Sequence, residues 1–164
     1  MGKKVIKIGG NSLYSAEQIE KIPAILDQYS DDKIVLVLSA LGKTTRSLRE
    51  LARAYYEHSE MEEIGGITES IESFHRSIAE ELFQKDDVIF GQIENIFSDL
   101  MSIGIHQRHI LLKSAHEDQI VSLGEILSVL IISRYLQTKK YYSFIMPSYN
   151  FIKTNLDFTN AKID

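Results

Sequence analysis

Two short apolar runs mark the first third of the chain. Val5, Ile6 and Ile8 form one run that ends at Gly9-Gly10, and residues 34–38, I-V-L-V-L, form the other. Runs of this length that are rich in β-branched residues are typical of strands. Because the second run is apolar at every position, it predicts a central parallel strand that is covered on both faces.

Each predicted strand is followed by a segment whose apolar residues recur at helical spacing. The first segment starts after Ser15, a candidate N-cap with Gln18 three residues later, and is expected to form one helix that ends before Asp31. The order strand, helix, strand, helix predicts an α/β domain with a mainly parallel sheet. The second helix is expected over about residues 45–56, with Leu48, Leu51 and Ala52 facing inward.

The middle of the chain has a different composition. Residues 62–113 contain no proline and are rich in Glu, Ser and Ile, which predicts a helical insertion of two or three helices. Breaks are expected near Gly65-Gly66, residues 85–87 and Gly104. An amphipathic helix is predicted over residues 116–138, with Ile120, Leu123, Ile126, Leu127 and Leu130 facing inward.

Length and composition narrow the class of protein. The chain has 164 residues, of which 44% are hydrophobic and 25% charged, as expected for one globular domain. A formal net charge of -5 argues against a general nucleic-acid binder. The absence of cysteine excludes disulfides, thiolate zinc sites and cysteine nucleophiles, and is compatible with a cytoplasmic location. No apolar run has the length of a membrane span, so no membrane partner is expected.

The glycine pair after the first strand has two interpretations. Gly9 and Gly10 either allow a tight structural turn, or they let backbone N–H groups approach an anion closely. Lys7 could then place a positive charge on a phosphoryl group. Ligands of open α/β sheets bind at the carboxyl ends of strands, so Gly9-Gly10 and residues 39–45 are expected to face the same crevice.

Residues 42–44, G-K-T, match only the end of a nucleotide-binding Walker A loop. That motif requires a glycine five residues before its second glycine, and this chain has Val37 there. A P-loop nucleotidase is therefore excluded. The alternative for residues 39–45 is a capped loop, with Thr44 or Thr45 as the N-cap of the following helix.

Two further groups could carry chemistry. Glu125 lies among apolar residues of the last predicted helix, so it is either a carboxylate at a pocket edge that receives a substrate ammonium group or a solvated glutamate. His106 and His109 have a spacing that could present two ligands to zinc; no third ligand is obvious in the sequence, although His116 is near. We therefore predict no metal site built from protein side chains.

Four segments together resemble the aspartokinases of the amino acid kinase family. They are K-I-G-G-N-S-L-Y-S-A-E-Q-I (residues 7–19), V-L-V-L-S-A-L-G-K-T-T (35–45), Q-I-V-S-L-G-E-I-L-S (119–128) and F-I-K-T-N-L-D-F-T-N-A-K-I-D (151–164). They are similar to the family's N-terminal glycine block, its second-strand loop, its V-S-x-G-E helix and a later substrate-side segment. Their order is that of the family, and they span the whole chain.

The resemblance implies a fold and a reaction. The fold would be a three-layer α/β/α arrangement with a mainly parallel sheet. The reaction would be the ATP- and Mg²⁺-dependent phosphorylation of the side-chain carboxylate of L-aspartate, the first step towards lysine, threonine and methionine. Residues 1–164 would form the N-terminal part of the catalytic domain, without its nucleotide-binding half or ACT domains, and this piece alone is expected to be inactive. The full-length protein would be a homo-oligomer.

The resemblance also implies roles for single residues. Lys7 would neutralise charge on the transferred phosphoryl group, and Gly9-Gly10 would offer backbone donors to the phosphates. Asn11 stands where the family usually has Thr or Ser, and it can still donate a hydrogen bond. Thr45 would bind aspartate, and Glu125 would hold its α-ammonium group.

One departure from the family pattern keeps other functions open. Where the family typically has a D-A-R-like triplet, this chain has Pro147 and Tyr149 at the acidic and basic positions, so an ion pair there is lost. The alternatives are an amino acid kinase for another small substrate, or a non-catalytic remnant that serves as a binding module.

Overall fold

The computed structural model describes residues 2–57, 59–107, 113–158 and 160–163. Two strands, β1 (Lys3–Ile8) and β2 (Lys33–Leu38), pair in parallel, with Ile8 opposite Leu38 at their carboxyl ends. The helices are α1 (Ala16–Glu20), α2 (Ile22–Asp27), α3 (Thr44–Tyr56), α4 (Met61–Leu82), α5 (Ile89–Gln107) and α6 (Lys113–Thr138), and 3₁₀ turns occupy Gly10–Ser12 and Ser148–Asn150. The predicted α/β fold with a parallel sheet is thus present.

Helices cover one face of this sheet. Alternate residues of both strands, among them Ile6, Ile34 and Leu36, pack against the buried helical core. On the opposite face, Val35 and Val37 are 45% and 42% exposed. The expectation that β2 is covered on both faces is therefore wrong for the described part of the chain, because helices pack on one side of the strand only.

The segment between the strands contains two short helices instead of the single predicted one. Pro23 lies in the first turn of α2 and has no N–H to donate to the carbonyl of Ile19, so the helix is interrupted at Lys21. Ser15 occupies the N-cap position of α1, but its hydroxyl makes no capping hydrogen bond. The predicted helix start is right, and the capping contact is absent.

The helical insertion consists of α4 and α5, separated near residues 85–87 as predicted. The breaks expected at Gly65-Gly66 and Gly104 are wrong, because α4 and α5 run through them. Glycine lowers helix propensity by about 1 kcal/mol. In α4 the buried residues Ile64 and Ile71 lie on one side of the helix, and their packing stabilises the helix through the glycine pair.

Helix α6 is central to the core. It contacts α3, α4, α5 and β2, and Ile120 and Leu127 are buried as predicted. Ile126, which was expected to face inward, is 42% exposed. Ser114–Thr138 is long and apolar enough to cross a membrane by length and composition alone. The core helix of a globular protein meets the same criterion, and α6 packs against three helices and a strand.

An ion pair joins α6 to the turn before α5. Arg134 donates hydrogen bonds to both carboxylate oxygens of Asp87, with Nε–Oδ1 and Nη2–Oδ2 distances of 2.9 and 2.8 Å. The same carboxylate accepts a hydrogen bond from the backbone N–H of Ile89 at 3.0 Å, at the start of α5. The Arg134 hydrogen bonds hold the pKa of Asp87 below its ordinary value.

Candidate active site

The carboxyl ends of the two strands continue into two loops that are hydrogen-bonded to each other. We call residues 9–15 the first loop and residues 39–45 the second loop, the last two residues of which begin α3. The backbone N–H of Gly42 lies 3.2 Å from the carbonyl of Gly10 and 3.0 Å from that of Leu13. The N–H of Ser39 donates to the carbonyl of Ile8 at 3.3 Å. Both loops therefore lie at one edge of the sheet, as the expectation of a shared crevice requires.

The two glycines of the first loop have different surroundings. A Cβ added to Gly10 would lie 2.5 Å from the backbone carbonyl oxygen of Ala40, so contact between the loops requires glycine there. A Cβ added to Gly9 would meet nothing within 4 Å, and its φ of -82° suits any residue. Packing thus explains Gly10, whereas Gly9 borders open space, as a backbone that is approached by a ligand would.

Lys7 and Asn11 are exposed at the same edge. Lys7 is the second-last residue of β1, opposite Val37, and its side chain alternates with the core-facing Ile6 and Ile8. Within the described ranges no carboxylate pairs with its ammonium group. Asn11 lies in the 3₁₀ turn after Gly9. This edge therefore offers a cation and an amide beside an accessible backbone, which suits an anion.

Gly42 and Thr44 give the second loop its shape. Gly42 has φ +53°, in the left-handed region that favours glycine. Thr44 is 3% exposed, and both its N–H and its hydroxyl donate to the carbonyl of Leu41, at 3.0 and 2.7 Å. Lys43, not Thr44 or Thr45, occupies the N-cap position of α3. The turn therefore presents Thr45 as a half-buried residue in the first turn of α3.

Helix α6 packs closely on the second loop at Gly124, the residue before Glu125. A Cβ added to Gly124 would lie 3.0 Å from the Ala40 Cβ and 3.2 Å from the Thr44 Cγ2. Glu125 is the next residue on α6 and is half-buried, which differs from the fully solvated alternative. No described residue forms an ion pair or hydrogen bond with its carboxylate. A carboxylate and a threonine hydroxyl thus come from elements that meet at Gly124.

Sequence reasoning missed a buried histidine beside this loop. His75 of α4 is fully buried, with its Nε2 3.3 Å from the Thr44 hydroxyl oxygen and its Nδ1 2.7 Å from the Ile71 carbonyl. Burial lowers the pKa of His75, against the weaker effect of the Ile71 hydrogen bond. The signal in the sequence was the helical spacing of His75 with the apolar residues Ile64, Ile71 and Ile78.

The remaining candidates lie elsewhere. His109 is outside the described residues, as is the side chain of His106, so the predicted spacing of the two has no structural counterpart here. In the described ranges, no group of three or more acidic or histidine side chains could hold a metal ion. Pro147 precedes the 3₁₀ turn Ser148–Asn150, in which Tyr149 is 69% exposed.

Sequence comparisons identify relatives along nearly the whole chain. The model of the amino acid kinase family matches residues 2–162. Aspartokinase 1, chloroplastic, from Arabidopsis thaliana is 32% identical over 97% of this chain, and Aspartokinase 2, chloroplastic, from the same organism is 31% identical over 97%. These matches cover 28% and 29% of the two relatives, so the chain spans less than a third of their length.

A solved structure agrees with these sequence matches. The structure of E. coli aspartokinase III in complex with lysine and aspartate superposes with a TM-score of 0.84 and 25% identity, over 98% of this chain and 34% of that one. The resemblance found in the four sequence segments is confirmed. The match of the family model over residues 2–162 shows that the chain belongs to the amino acid kinase family.

Proposed function

We propose that this chain is the N-terminal part of an aspartokinase, which transfers the γ-phosphoryl group of ATP to the side-chain carboxylate of L-aspartate. Residues 1–164 would form one structural unit that carries the aspartate-binding groups and the first phosphate loop. The named relatives are aspartokinases, and E. coli aspartokinase III was solved with aspartate bound. Homo-oligomer formation and a cytoplasmic location stay predictions for the natural full-length protein.

The contact at Gly124 is the observation that carries this proposal. An amino acid substrate needs an anionic group for its α-ammonium and polar donors for its carboxylates. Glu125 supplies a half-buried carboxylate without a described partner, and Thr45 supplies a hydroxyl and the N-terminal turn of α3. Since Gly124 packs directly on Thr44, the two elements that carry these groups are held together before substrate binds.

The phosphate side of the proposed site is the first loop. Gly9 leaves its backbone open to a ligand, and the ammonium of Lys7, which no carboxylate in the described part of the chain pairs with, lies at the same edge of the sheet. Lys7 would stabilise the charge of the transferred phosphoryl group, and Asn11 would hydrogen-bond a phosphate oxygen. Positioning and electrostatic stabilisation account for most of the catalysis of phosphoryl transfer, so a lysine and backbone donors suit this role.

In the proposed reaction, a side-chain carboxylate oxygen of aspartate attacks the γ-phosphorus of ATP. The bond from that phosphorus to the bridging oxygen of ADP breaks, which gives 4-phospho-L-aspartate and ADP without a net proton transfer. Mg²⁺ would accompany ATP and neutralise phosphate charge. The described residues contain no cluster of metal ligands, so we assign no side chain of this chain to the ion.

The proposal is tested by the rate at which the natural full-length protein makes acyl phosphate from ATP and L-aspartate, trapped as the hydroxamate. We expect Lys7→Ala to lower kcat by about 10²-fold or more, as loss of a transition-state contact does. We expect Glu125→Gln to raise the KM for aspartate, because the amide keeps the size of the side chain and loses its charge.

Matched variants control for nonspecific effects of these changes. Lys3→Ala removes an exposed lysine from the other end of β1, and Glu94→Gln neutralises an exposed glutamate on α5. Both are expected to behave like the unchanged protein. A folded, ATP-binding protein that makes no acyl phosphate from aspartate would refute the proposal and favour a kinase for another substrate or a binding module.

A further inference from the structure

The second loop is held from two sides by helices. On one side α6 packs against it at Gly124. On the other side, two consecutive residues of α4 reach it: the Phe74 ring lies 3.1 Å from the position of a Cβ on Gly42, and His75 Nε2 lies 3.3 Å from the Thr44 hydroxyl. Helix α4 belongs to the insertion, which carries none of the residues assigned above to substrate.

The hydrogen bonds of His75 determine which of its nitrogens faces the loop. The Ile71 carbonyl can only accept, so Nδ1 must carry the proton of the 2.7 Å hydrogen bond between them. Burial favours the neutral ring, in which Nε2 is then an acceptor that faces Thr44. The Thr44 hydroxyl donates its one proton to the Leu41 carbonyl at 2.7 Å and shares it with the more distant acceptor, His75 Nε2, at 3.3 Å.

The aromatic surroundings keep this ring in place. Phe74 packs edge-on against the His75 ring with centroids 5.2 Å apart, and Phe97 of α5 lies 6.3 Å away on a tilted plane. A fully buried polar ring of this kind is held by its hydrogen bonds, because water does not reach it. The position of Thr44 is thus tied to two helices of the insertion.

We infer that His75 is a positioning residue for aspartate recognition: it holds Thr44, and through Thr44 the turn that presents Thr45 to the substrate. This inference rests on the function proposed above. Thr44 cannot itself reach a ligand, since it is 3% exposed, but its neighbour Thr45 is accessible at the start of α3. Movement of the turn would displace Thr45 relative to Glu125 and would leave Lys7 where it is.

The test uses two substitutions that break the same contact from opposite sides. His75→Leu replaces the imidazole ring with an apolar side chain of similar size and so removes both nitrogens. Thr44→Val keeps the methyl group next to Gly124 and removes the hydroxyl, together with its 2.7 Å bond to the Leu41 carbonyl, which His75→Leu leaves in place. In the natural full-length protein, each is expected to raise the KM for L-aspartate by about tenfold, the factor that corresponds to one ordinary hydrogen bond. The kcat and the KM for ATP are expected to change less than the KM for aspartate, because both substitutions lie outside the first loop and reach it only through its hydrogen bonds to the backbone of the second loop.

Two further variants separate positioning from general stability. His75→Gln can reach Thr44 with its terminal amide and is expected to restore most of the aspartate affinity. Thr68→Val removes another buried hydroxyl of α4, one that donates only to the Ile64 carbonyl of its own helix at 2.8 Å. It should leave the KM for aspartate unchanged, even if it lowers the melting temperature as much as Thr44→Val does.

Hydrogen–deuterium exchange gives a readout that does not depend on catalysis. Peptides that cover residues 39–45 are expected to exchange faster in His75→Leu and Thr44→Val, and at the original rate in His75→Gln and Thr68→Val. Unchanged exchange in folded His75→Leu and Thr44→Val would overturn the inference whatever the substrate is. An active protein whose KM for aspartate is unaffected by both variants would also overturn it, whereas an inactive unchanged protein would refute the proposed function itself.

Discussion

Gly124 of α6 lies so close to Thr44 that a Cβ on the glycine would be 3.2 Å from the threonine Cγ2. The same Cβ would lie 3.0 Å from the Ala40 Cβ, so α6 and the second loop are in backbone-to-side-chain contact at this point. Glycine in mid-helix costs about 1 kcal/mol relative to alanine. Its presence there is explained by the need for this close approach, which holds the turn of α6 that carries Glu125 against the loop.

Gly124→Ala is therefore expected to impair aspartate binding more than it changes stability. The gain in helix propensity offsets part of the overpacking, which typically costs about 1–3 kcal/mol, so the net change in the free energy of unfolding should stay within about 2 kcal/mol. Because α6 must shift away from Ala40, the KM for aspartate should rise severalfold. Steady-state kinetics and chemical denaturation measure the two effects.

Gly91→Ala is the matched control for this substitution. Gly91 lies in α5, and a Cβ there would meet nothing within 4 Å. The substitution should stabilise the protein by about 0.5–1 kcal/mol and leave aspartate binding unchanged. If Gly124→Ala behaved in the same way as Gly91→Ala, the packing argument for the placement of Glu125 would be wrong.

The glycines of the first loop are expected to respond differently to the same change. Gly10→Ala places a methyl group 2.5 Å from the Ala40 carbonyl oxygen, so the two loops must separate and stability should fall by about 1–3 kcal/mol. Gly9→Ala meets no atom within 4 Å and should leave the melting temperature nearly unchanged. Its effect should instead appear as a higher KM for ATP in the full-length protein, since the methyl group obstructs the phosphate.

Equal stability of the two alanine variants would contradict this assignment. A normal KM for ATP in Gly9→Ala would show that no phosphate approaches that backbone. Thermal unfolding of both variants and ATP titrations of the active protein decide between these outcomes.

The sequence was sufficient to predict the strands and the arrangement of the two loops. Apolar runs that end at glycine turns fixed β1 and β2, and the rule that ligands bind at the carboxyl ends of parallel strands placed Gly9 and Ser39 at one edge. Local periodicity was also sufficient for α3 and its buried residues Leu48 and Leu51. These features depend on near neighbours in sequence, so the pattern of apolar residues was enough to predict them.

Features that depend on distant contacts were not predictable. Gly65-Gly66 continues a helix because Ile64 and Ile71 pack on the core, which no local propensity reveals. Gly124 could not be distinguished from other helical glycines until its contact with Ala40 was known. The His75–Thr44 contact joins residues 31 positions apart, so the sequence could indicate a histidine on an apolar face but not its partner.

The buried His75 predicts a stability that depends on pH. Burial lowers the pKa of His75 in the folded protein, so between the folded and unfolded pKa values the unfolded chain binds more protons. The free energy of unfolding should therefore fall as the pH drops below about 6.5, the unfolded value. His75→Gln has no titrating group at this position, so the part of the fall in the free energy of unfolding that is due to His75 should be absent. Urea denaturation of both proteins from pH 8 to pH 5 measures the difference, and parallel curves would contradict the prediction.

The Asp87–Arg134 ion pair predicts a second dependence on pH, at lower values. The Arg134 hydrogen bonds lower the pKa of Asp87 in the folded protein, so the stabilisation is fully present above the unfolded pKa of about 3.9 and is lost as the pH falls through the folded value.

Asp87→Asn should destabilise the protein at pH 7 by about 1–3 kcal/mol, since it weakens hydrogen bonds to charged Arg134 in a mostly buried position. The difference in the free energy of unfolding between the two proteins should be constant above about pH 5 and should shrink as the pH is lowered further, past the unfolded pKa and towards the folded one. Asp86→Asn, a neighbouring exposed aspartate, is the matched control and should show no such difference. A destabilisation by Asp87→Asn that stayed constant down to pH 3 would mean that the residue acts through the α5 cap at Ile89 and not through its charge.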